Sequence, residues 1–133
     1  MSKNRNRVKR DGNNTVSQGD VFYVDFDKLG CIGSEESGIR PVVVVSSSTV
    51  GYFSPIIIVC PITSKDKKSL PTHHFLSRDK YRFLLRKDNI VLTENVRAIS
   101  KDRLIGKKVG TINEKDVCDI IVRLNNNFVL TRE

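Results

Sequence analysis

Tryptophan is absent from this chain of 133 residues, methionine occurs once, and cysteine occurs only three times. The cysteines, Cys31, Cys60 and Cys118, are widely spaced and form no C-x-x-C pair, which argues against a tetrahedral zinc site. An odd number of cysteines and the lack of a signal peptide favour a reducing cytoplasm. The longest apolar run is far shorter than the roughly 20 residues of a membrane-spanning helix. We therefore expect a cytoplasmic protein with no membrane segment, no metal and no cofactor.

Acidic residues are also scarce, with 15 of them against 23 lysines and arginines and a net charge of +8. Residues 1–17 contain five basic side chains and only Asp11 as an acid, and they offer almost nothing to bury. We predict a flexible basic arm over residues 1–17 and a single domain over residues 18–133, long enough to form a core. The charge favours nucleic acid as a partner, and the arm is either an RNA contact or a solvated tail.

Apolar side chains alternate over residues 21–27 and predict a half-buried strand. Residues 41–46 and 56–63 are almost entirely apolar, and the polar turn between them predicts a central antiparallel hairpin. Further elements are expected as short strands over residues 70–76, 90–92, 96–99 and 103–111 and a helical turn over residues 77–80. Asn113 is a good N-cap for a final helix whose apolar face includes Phe128. The expected fold is mainly β with a C-terminal helix, an α+β barrel of antiparallel strands.

Residues 38–41, Gly-Ile-Arg-Pro, open the second predicted strand. Arg40 precedes a proline, which favours extended backbone, and Pro41 can begin a strand but cannot lie inside a central one. In an antiparallel hairpin, Arg40 at the start of one strand and Thr63 at the end of the next lie at the same edge of the sheet. The sequence therefore predicts a guanidinium and a hydroxyl side by side, a pair that suits a phosphate.

Six short sequences carry a family pattern, and they follow one another in a fixed order along the chain. They are Gly19-Asp20-Val21, Gly38-Ile39-Arg40-Pro41-Val42, Phe53-Ser54-Pro55, Pro61-Ile62-Thr63, Leu70-Pro71-Thr72-His73 and Glu94-Asn95-Val96-Arg97-Ala98-Ile99. Together they resemble the MazF/PemK family of toxin endoribonucleases over residues 18–128. The resemblance implies an SH3-like, CcdB-like barrel, a homodimer with an RNA groove, and metal-independent cleavage of single-stranded mRNA at a short motif. It also implies a cognate antitoxin that inhibits the enzyme in a type II toxin-antitoxin system.

Cleavage of RNA without a metal uses the neighbouring 2′-hydroxyl as nucleophile and needs a proton acceptor, a proton donor and positive charge on the phosphorane. By resemblance, Arg40 is the main catalytic residue and supplies the charge, and Thr63 donates to the phosphate or orients the 2′-hydroxyl. Glu94 is the candidate catalytic carboxylate, with a solvated turn residue as the alternative. Some family members have an arginine two residues before this acid, where the present chain has Leu92. The identity of the general base is left open.

Five further residues fall where the resemblance places RNA contacts: Ser34, Glu35, Ser54, His73 and Asn95. Ser34 and Glu35 lie in a loop before Arg40 that is either a lid or an ordinary connection. Asn95 either reads base edges or caps backbone in a turn. Adjacent strand residues point to opposite faces, so His74 is expected to be structural or exposed rather than a partner of His73.

Two other functions stay open, a gyrase poison on the same fold and a non-catalytic RNA-binding barrel. A gyrase poison of this kind would depend on an element at the end of the final helix. The chain ends Leu130-Thr131-Arg132-Glu133 and has no tryptophan, which argues against that function. Tyr52 and Phe53 are expected either to stack on bases or, as is commoner in a small barrel, to lie in the core.

Overall fold

A computed structural model of the chain describes residues 16–30, 37–64 and 70–131. The elements in these stretches follow the order β1 (Asp20–Asp25), α1 (Phe26–Leu29), β2 (Ile39–Val44), α2 (Ser48–Phe53), β3 (Ile56–Thr63), β4 (His73–Ser77), β5 (Asp88–Leu92), β6 (Arg97–Ser100), β7 (Leu104–Thr111) and α3 (Glu114–Asn126). Short 3-10 turns at Thr93–Asn95 and Lys101–Arg103 precede and follow β6. None of the described helices has the length and apolar character needed to cross a membrane.

The strands form one seven-stranded antiparallel sheet in the order β4-β5-β3-β2-β1-β7, with β6 paired to β3 off this path. The first half of β3, residues 56–59, pairs with β6, whereas Ile62 and Thr63 at its end pair with β5. Because β3 changes partner along its length, the sheet bends there. The predicted fold class is confirmed. The predicted closure into a barrel is not seen in the described stretches, where β4 and β7 end the path of paired strands.

The sheet buries apolar side chains on both of its faces. One core contains Val16, Phe22, Val24, Phe26, Val42, Val44, Ile57, Val59, Ile99 and Leu104. The other contains Val21, Val43, Cys60, Ile62, Leu76, Tyr81, Leu84, Val91, Ile112 and Ile120. The alternation predicted for the first strand is present, since Phe22, Val24 and Phe26 are buried on one face. On the other face Val21 is buried in the second core, whereas Tyr23 and Asp25 are only partly buried.

Two local predictions fail because short side chains start helices. Strand β1 ends at Asp25, whose carboxylate accepts from the Asp27 backbone N–H at 3.0 Å and caps the single turn α1. The predicted turn between the second and third strands contains helix α2, with the Ser47 hydroxyl accepting from the Val50 N–H at 3.2 Å. Over residues 77–80, where one helical turn is predicted, β4 continues to Ser77 and a single hydrogen-bonded turn follows. In this turn the Ser77 carbonyl accepts from the Lys80 N–H at 3.2 Å and from the Tyr81 N–H at 3.0 Å.

The C-terminal helix begins as predicted. The Asn113 side chain accepts from the Asp116 N–H at 2.8 Å, and Ile120 is fully buried against the sheet. Phe128, however, lies beyond the last residue of α3 and is 72% exposed, so its assignment to the apolar face is wrong. At the other end of the chain, residues 1–15 of the predicted arm lie outside the described residues. Val16, near the end of the predicted arm, is fully buried in one of the two cores.

Candidate functional site

Strands β2 and β3 place Arg40 and Thr63 at one end of the sheet. Their ladder aligns Val42 with Pro61 and Val44 with Val59. The pairing of the two strands ends at Val42 and Pro61, and Thr63 pairs with Ile90 of β5. Arg40 and Thr63 each lie two residues beyond these last paired residues. Both residues therefore lie at the same end of the β2–β3 hairpin.

Gly38 fixes the chain direction just before Arg40. Its φ of +76° lies in the left-handed region that glycine adopts without strain. Its N–H donates to the Asp27 carboxylate at 3.1 Å, and its carbonyl accepts from the Phe26 N–H at 2.8 Å. These bonds tie the entry into β2 to helix α1. Arg40 is therefore presented from a constrained backbone.

The two members of the pair differ in accessibility. Arg40 is half-buried, and its Nε donates to the Ser37 carbonyl at 2.8 Å. Thr63 is only 1% exposed. In this arrangement the guanidinium is within reach of a ligand in solution, whereas the hydroxyl lies below the surface.

A small cleft of about 120 Å³ opens at this end of the sheet. Its lining residues are Tyr23, Ile39, Arg40, Pro41, Ile62, Ser64, Leu85, Arg86 and Asn89. Thr63 does not line it, because it alternates with Ile62 and Ser64 along the strand and points to the other face. No carboxylate lines the cleft, so its described walls favour an anion.

Glu94 lies in a second cluster of polar side chains. Its carboxylate accepts from the Thr72 hydroxyl at 2.8 Å and from His73 Nε2 at 3.1 Å. His73 Nδ1 accepts from the Leu70 backbone N–H at 3.3 Å, so the ring carries its proton on Nε2. Partial burial opposes ionisation of Glu94, but hydrogen bonds from its own backbone N–H, Thr72 and His73 outweigh it and lower its pKa. An ionised, already paired carboxylate is a good acceptor and a weak base.

The cluster around Glu94 is separate from the Arg40–Thr63 edge. Burial and, to a lesser extent, the Glu94 charge raise the pKa of Cys60 to about 12. Thr63 pairs with Ile90 in the middle of β5, whereas Glu94 lies in the 3-10 turn that follows the end of β5. The structure therefore brings Glu94 and His73 together, but it does not bring all three predicted catalytic residues into one cluster.

His74 points to the opposite face from His73 and holds α3 against β4. Its Nε2 lies 2.9 Å from Asp116 Oδ1, and Asp116 also accepts from the Tyr81 hydroxyl and pairs with Lys80 at 3.0 Å. Burial opposes the ionisation of Asp116, but these three partners outweigh it and lower its pKa. His74 is therefore structural, as its position in the sequence predicts.

The same cluster contains the one group of potential metal ligands in the described part of the chain: His74, Asp116 and Asp119, whose ligand atoms lie within 4.8 Å of one another. Both carboxylates already pair with lysines, Asp116 with Lys80 at 3.0 Å and Asp119 with Lys115 at 3.4 Å. A metal ion would have to displace these cations. We assign no metal to this cluster.

The end of α3 holds the two segments that carry His73 and Glu94, a feature that the sequence did not predict. Arg123 Nη1 donates to the Pro71 carbonyl at 2.6 Å, and Asn127 Nδ2 donates to the Thr93 carbonyl at 3.0 Å. The Thr93 hydroxyl in turn donates to the Thr72 carbonyl at 2.7 Å. The C-terminal helix thus fixes the spacing between the two segments.

The other predicted RNA contacts are dispersed. Ser34 and Glu35 lie outside the described residues. The Ser54 hydroxyl accepts from the Ile56 N–H at 3.0 Å, which supports a turn. Asn95 is half-buried beside Glu94, and its side chain makes no hydrogen bond within the described stretches, so its amide is available to a ligand.

Tyr52 and Phe53 are exposed, by 63% and 77%, so the expectation that they lie in the core is wrong. Their rings meet edge to face with centroids 4.6 Å apart. They belong to α2, which connects the end of β2 to the start of β3. Arg40 lies at the other end of both strands, roughly 20 Å away along a six-residue strand. In this chain they do not adjoin the Arg40 edge, and neither does Ser54, which follows them.

Comparison with known proteins identifies the family. The family described as PemK-like, MazF-like toxin of type II toxin-antitoxin system matches residues 17–128. The chain is 36% identical over 106 residues to a Staphylococcus saprophyticus protein named Endoribonuclease MazF, covering 79% of this chain and 84% of that relative.

Solved structures agree on the fold. MazF from Deinococcus radiodurans matches with a TM-score of 0.70 at 18% identity, over 85% of this chain and 96% of its own. A mycobacterial endoribonuclease in complex with its cognate antitoxin matches with a TM-score of 0.65 at 20% identity, over 84% of this chain and 92% of its own. The family match covers most of the chain, and the named relative shares more than a third of the aligned residues. The chain therefore belongs to the PemK-like, MazF-like toxins of type II toxin-antitoxin systems.

Proposed function

We propose that this protein is an endoribonuclease that cleaves single-stranded mRNA at a short sequence without a metal ion, as the toxin of a toxin-antitoxin pair. The observation that carries the proposal is the half-buried Arg40 at the end of the β2–β3 hairpin, in a cleft whose described walls hold no carboxylate, in a chain of this family. The protein acts in the cytoplasm as a homodimer and is inhibited by a cognate antitoxin.

Arg40 stabilises the phosphorane. A guanidinium matches two phosphate oxygens at once and keeps its charge at every physiological pH. The negative charge on those oxygens grows as the 2′-hydroxyl attacks, so the contact is stronger in the transition state than in the ground state. The backbone bonds around Gly38 and the Nε bond to Ser37 hold the side chain in place before RNA binds.

Thr63 assists from the same edge. Because its hydroxyl is buried, it contacts the phosphate or the 2′-hydroxyl only after a local rearrangement on RNA binding. A threonine hydroxyl has too high a pKa to be the general base at neutral pH, so its role is to orient and to donate.

Glu94, His73 and Asn95 act in recognition rather than in proton transfer. The Glu94 carboxylate accepts hydrogen bonds from exocyclic amino groups, and the Asn95 amide both donates and accepts. Single-stranded bases expose the edges that such groups read. His73 orients the carboxylate, since its Nε2–H donates to it.

The proposal is tested by incubating the protein with a long RNA in EDTA and mapping the new ends. We expect cleavage at one repeated short motif, and we expect Arg40→Ala to abolish it while leaving the melting temperature close to that of the wild type. Binding without cleavage would instead indicate a non-catalytic RNA-binding protein. DNA breaks that require gyrase, with intact RNA, would indicate a gyrase poison.

A further inference from the structure

The cleft beside Arg40 contains a second guanidinium, that of Arg86. We propose that this cleft is a second phosphate subsite, in which Arg86 binds an RNA backbone phosphate next to the one that Arg40 holds. The inference rests on the proposed function, because it takes the ligand of Arg40 to be the scissile phosphate. It adds a residue that neither the motifs nor the family pattern singled out.

Charge is the first reason. Arg40 and Arg86 line the same cleft of about 120 Å³, and no acidic residue is among its described walls. An anion in this cleft would lie near both guanidinium groups, of which Arg40 is half-buried and Arg86 is exposed. Within the described residues the Arg86 side chain makes no hydrogen bond or ion pair, so its charge is not neutralised internally.

The backbone that carries Arg86 is held in place, which is the second reason. Asn89 Nδ2 donates to the Arg86 carbonyl at 2.8 Å, and Arg78 Nη1 donates to the neighbouring Leu85 carbonyl at 3.3 Å. The Arg78 N–H also donates to the Lys87 carbonyl at 3.2 Å. Arg86 is therefore presented to the cleft by a fixed turn rather than by a free loop.

Size and lining give the class of ligand. The cleft volume of about 120 Å³ is well below the roughly 300 Å³ at which pockets for whole small molecules begin. The exposed side chains of Ile39 and Leu85 flank the polar groups and can contact a sugar or a base. Such a cleft fits one phosphate with part of its nucleotide, as a polymer presents it, rather than a free nucleotide.

The test compares Arg86→Gln with Arg82→Gln. Arg82 is an exposed arginine of the same turn region that does not line the cleft, so it controls for net charge. The ligand is a single-stranded RNA with a 2′-deoxy nucleotide at the mapped cleavage position, which removes the nucleophile. We expect Arg86→Gln to weaken binding about fivefold to tenfold and to lower the slope of log K against log salt by about 0.7, the value for one phosphate contact to a single strand. We expect Arg82→Gln to change affinity less than about twofold.

A set of RNAs with one neutral methylphosphonate each then locates the contact. We expect the loss caused by Arg86→Gln to vanish for one linkage, and that linkage to neighbour the scissile one. Three results would overturn the subsite. The two substitutions could lower RNA affinity equally, or the affinity loss caused by Arg86→Gln could persist for every modified linkage. The third result is that the loss vanishes for the scissile linkage itself. If inorganic phosphate raises the melting temperature of the wild type but not of Arg86→Gln while RNA affinity is unchanged, the cleft binds free phosphate and the RNA contact is contradicted.

A failure of the proposed nuclease function can be distinguished from a failure of the Arg86 subsite. Intact RNA in the cleavage assay would refute the nuclease, and the affinities of Arg86→Gln and Arg82→Gln for an unmodified RNA would still decide whether Arg86 binds a phosphate.

Discussion

The edge that carries Arg40 and the turn that carries Glu94 are built in different ways. At the edge, a guanidinium lines an open cleft with no acid in its described walls, and the hydroxyl of Thr63 lies buried on the neighbouring strand. At the turn, both Glu94 oxygens and both His73 nitrogens already have partners, and α3 fastens the segments that carry them. We propose that the edge holds the charge that develops during the reaction. We propose that the turn keeps acceptors at fixed positions for the reading of bases.

The largest expected effect comes from replacing the planar guanidinium of Arg40 by an ammonium group. Arg40→Lys keeps a positive charge but cannot span two phosphate oxygens. We expect the single-turnover cleavage rate to fall about 100-fold or more, in the range seen when a transition-state donor is lost. The cleavage sites should stay the same, and the melting temperature should change little. Normal cutting by this variant would exclude bidentate contact as the mechanism.

Substitutions of Thr63 test the role of the buried hydroxyl at the edge. Thr63→Ser keeps the hydroxyl, whereas Thr63→Val keeps the shape and removes it. We expect the valine variant to cleave roughly 10-fold to 100-fold more slowly than the serine variant under single-turnover conditions, with thermal unfolding measured in parallel. If the two variants cleave equally while only their stabilities differ, Thr63 is a packing residue.

Glu94→Gln removes the charge of the turn and keeps its size and an acceptor oxygen. We expect the map of cleavage sites to shift and the affinity for the preferred motif to fall by several-fold, with a smaller change in the rate at saturating RNA. Glu94→Asp, which retains the charge on a shorter side chain, is the matched control for position. An unchanged motif with a rate loss as large as that of Arg40→Lys would make Glu94 a catalytic residue.

The same substitution has a pH signature. The pKa of Glu94 is lowered by folding from an ordinary value of 4.5. A lowered pKa contributes stability above the ordinary value, and that contribution is lost as the pH falls through the folded value. We therefore expect the stability difference between wild type and Glu94→Gln to be present at pH 7 and to shrink below about pH 4.5, as measured by urea unfolding. A stability difference between wild type and Glu94→Gln that grows as the pH falls would contradict the hydrogen-bond network around Glu94.

The smallest effect is expected from a substitution at the end of α3. Asn127→Ala removes the bond from α3 to the Thr93 carbonyl, which should cost about 1 kcal/mol of unfolding free energy. Asn125→Ala changes an exposed asparagine of the same helix and is the control. We expect Asn127→Ala to lower the preference for the motif over other sequences about twofold to fivefold, with an unchanged maximal cleavage rate. Identical cleavage maps for the two variants would limit the contact to stability.

Sequence periodicity predicted the hairpin that forms the edge. The apolar strands around Arg40 and Thr63 and the N-cap at Asn113 are local patterns, and local patterns dictate local structure. The closed barrel was not found in the described residues, because closure depends on how distant strands pair.

The hydrogen bonds that hold the Glu94 turn to α3 could not be predicted from local patterns. Arg123 is 52 residues from its acceptor Pro71, and Asn127 is 34 residues from Thr93, so no spacing rule connects them. Ser47 was the available signal for helix α2, since a serine before a helix is a common cap. Glu94 lies in the 3-10 turn after β5, while Thr63 pairs with Ile90 in the middle of that strand. Only the assembled sheet reveals this separation.

The division between the two regions is tested most directly by one parallel measurement. Wild type, Arg40→Lys and Glu94→Gln are each given the same randomised single-stranded RNA under single-turnover conditions, and the rate and position of every cut are recorded. We expect Arg40→Lys to cut the wild-type positions far more slowly, and Glu94→Gln to cut a changed set of positions at a rate close to that of the wild type. The reverse pattern, with altered positions in the lysine variant and an unaltered but slow map in the glutamine variant, would contradict the assignment of chemistry to the edge and recognition to the turn.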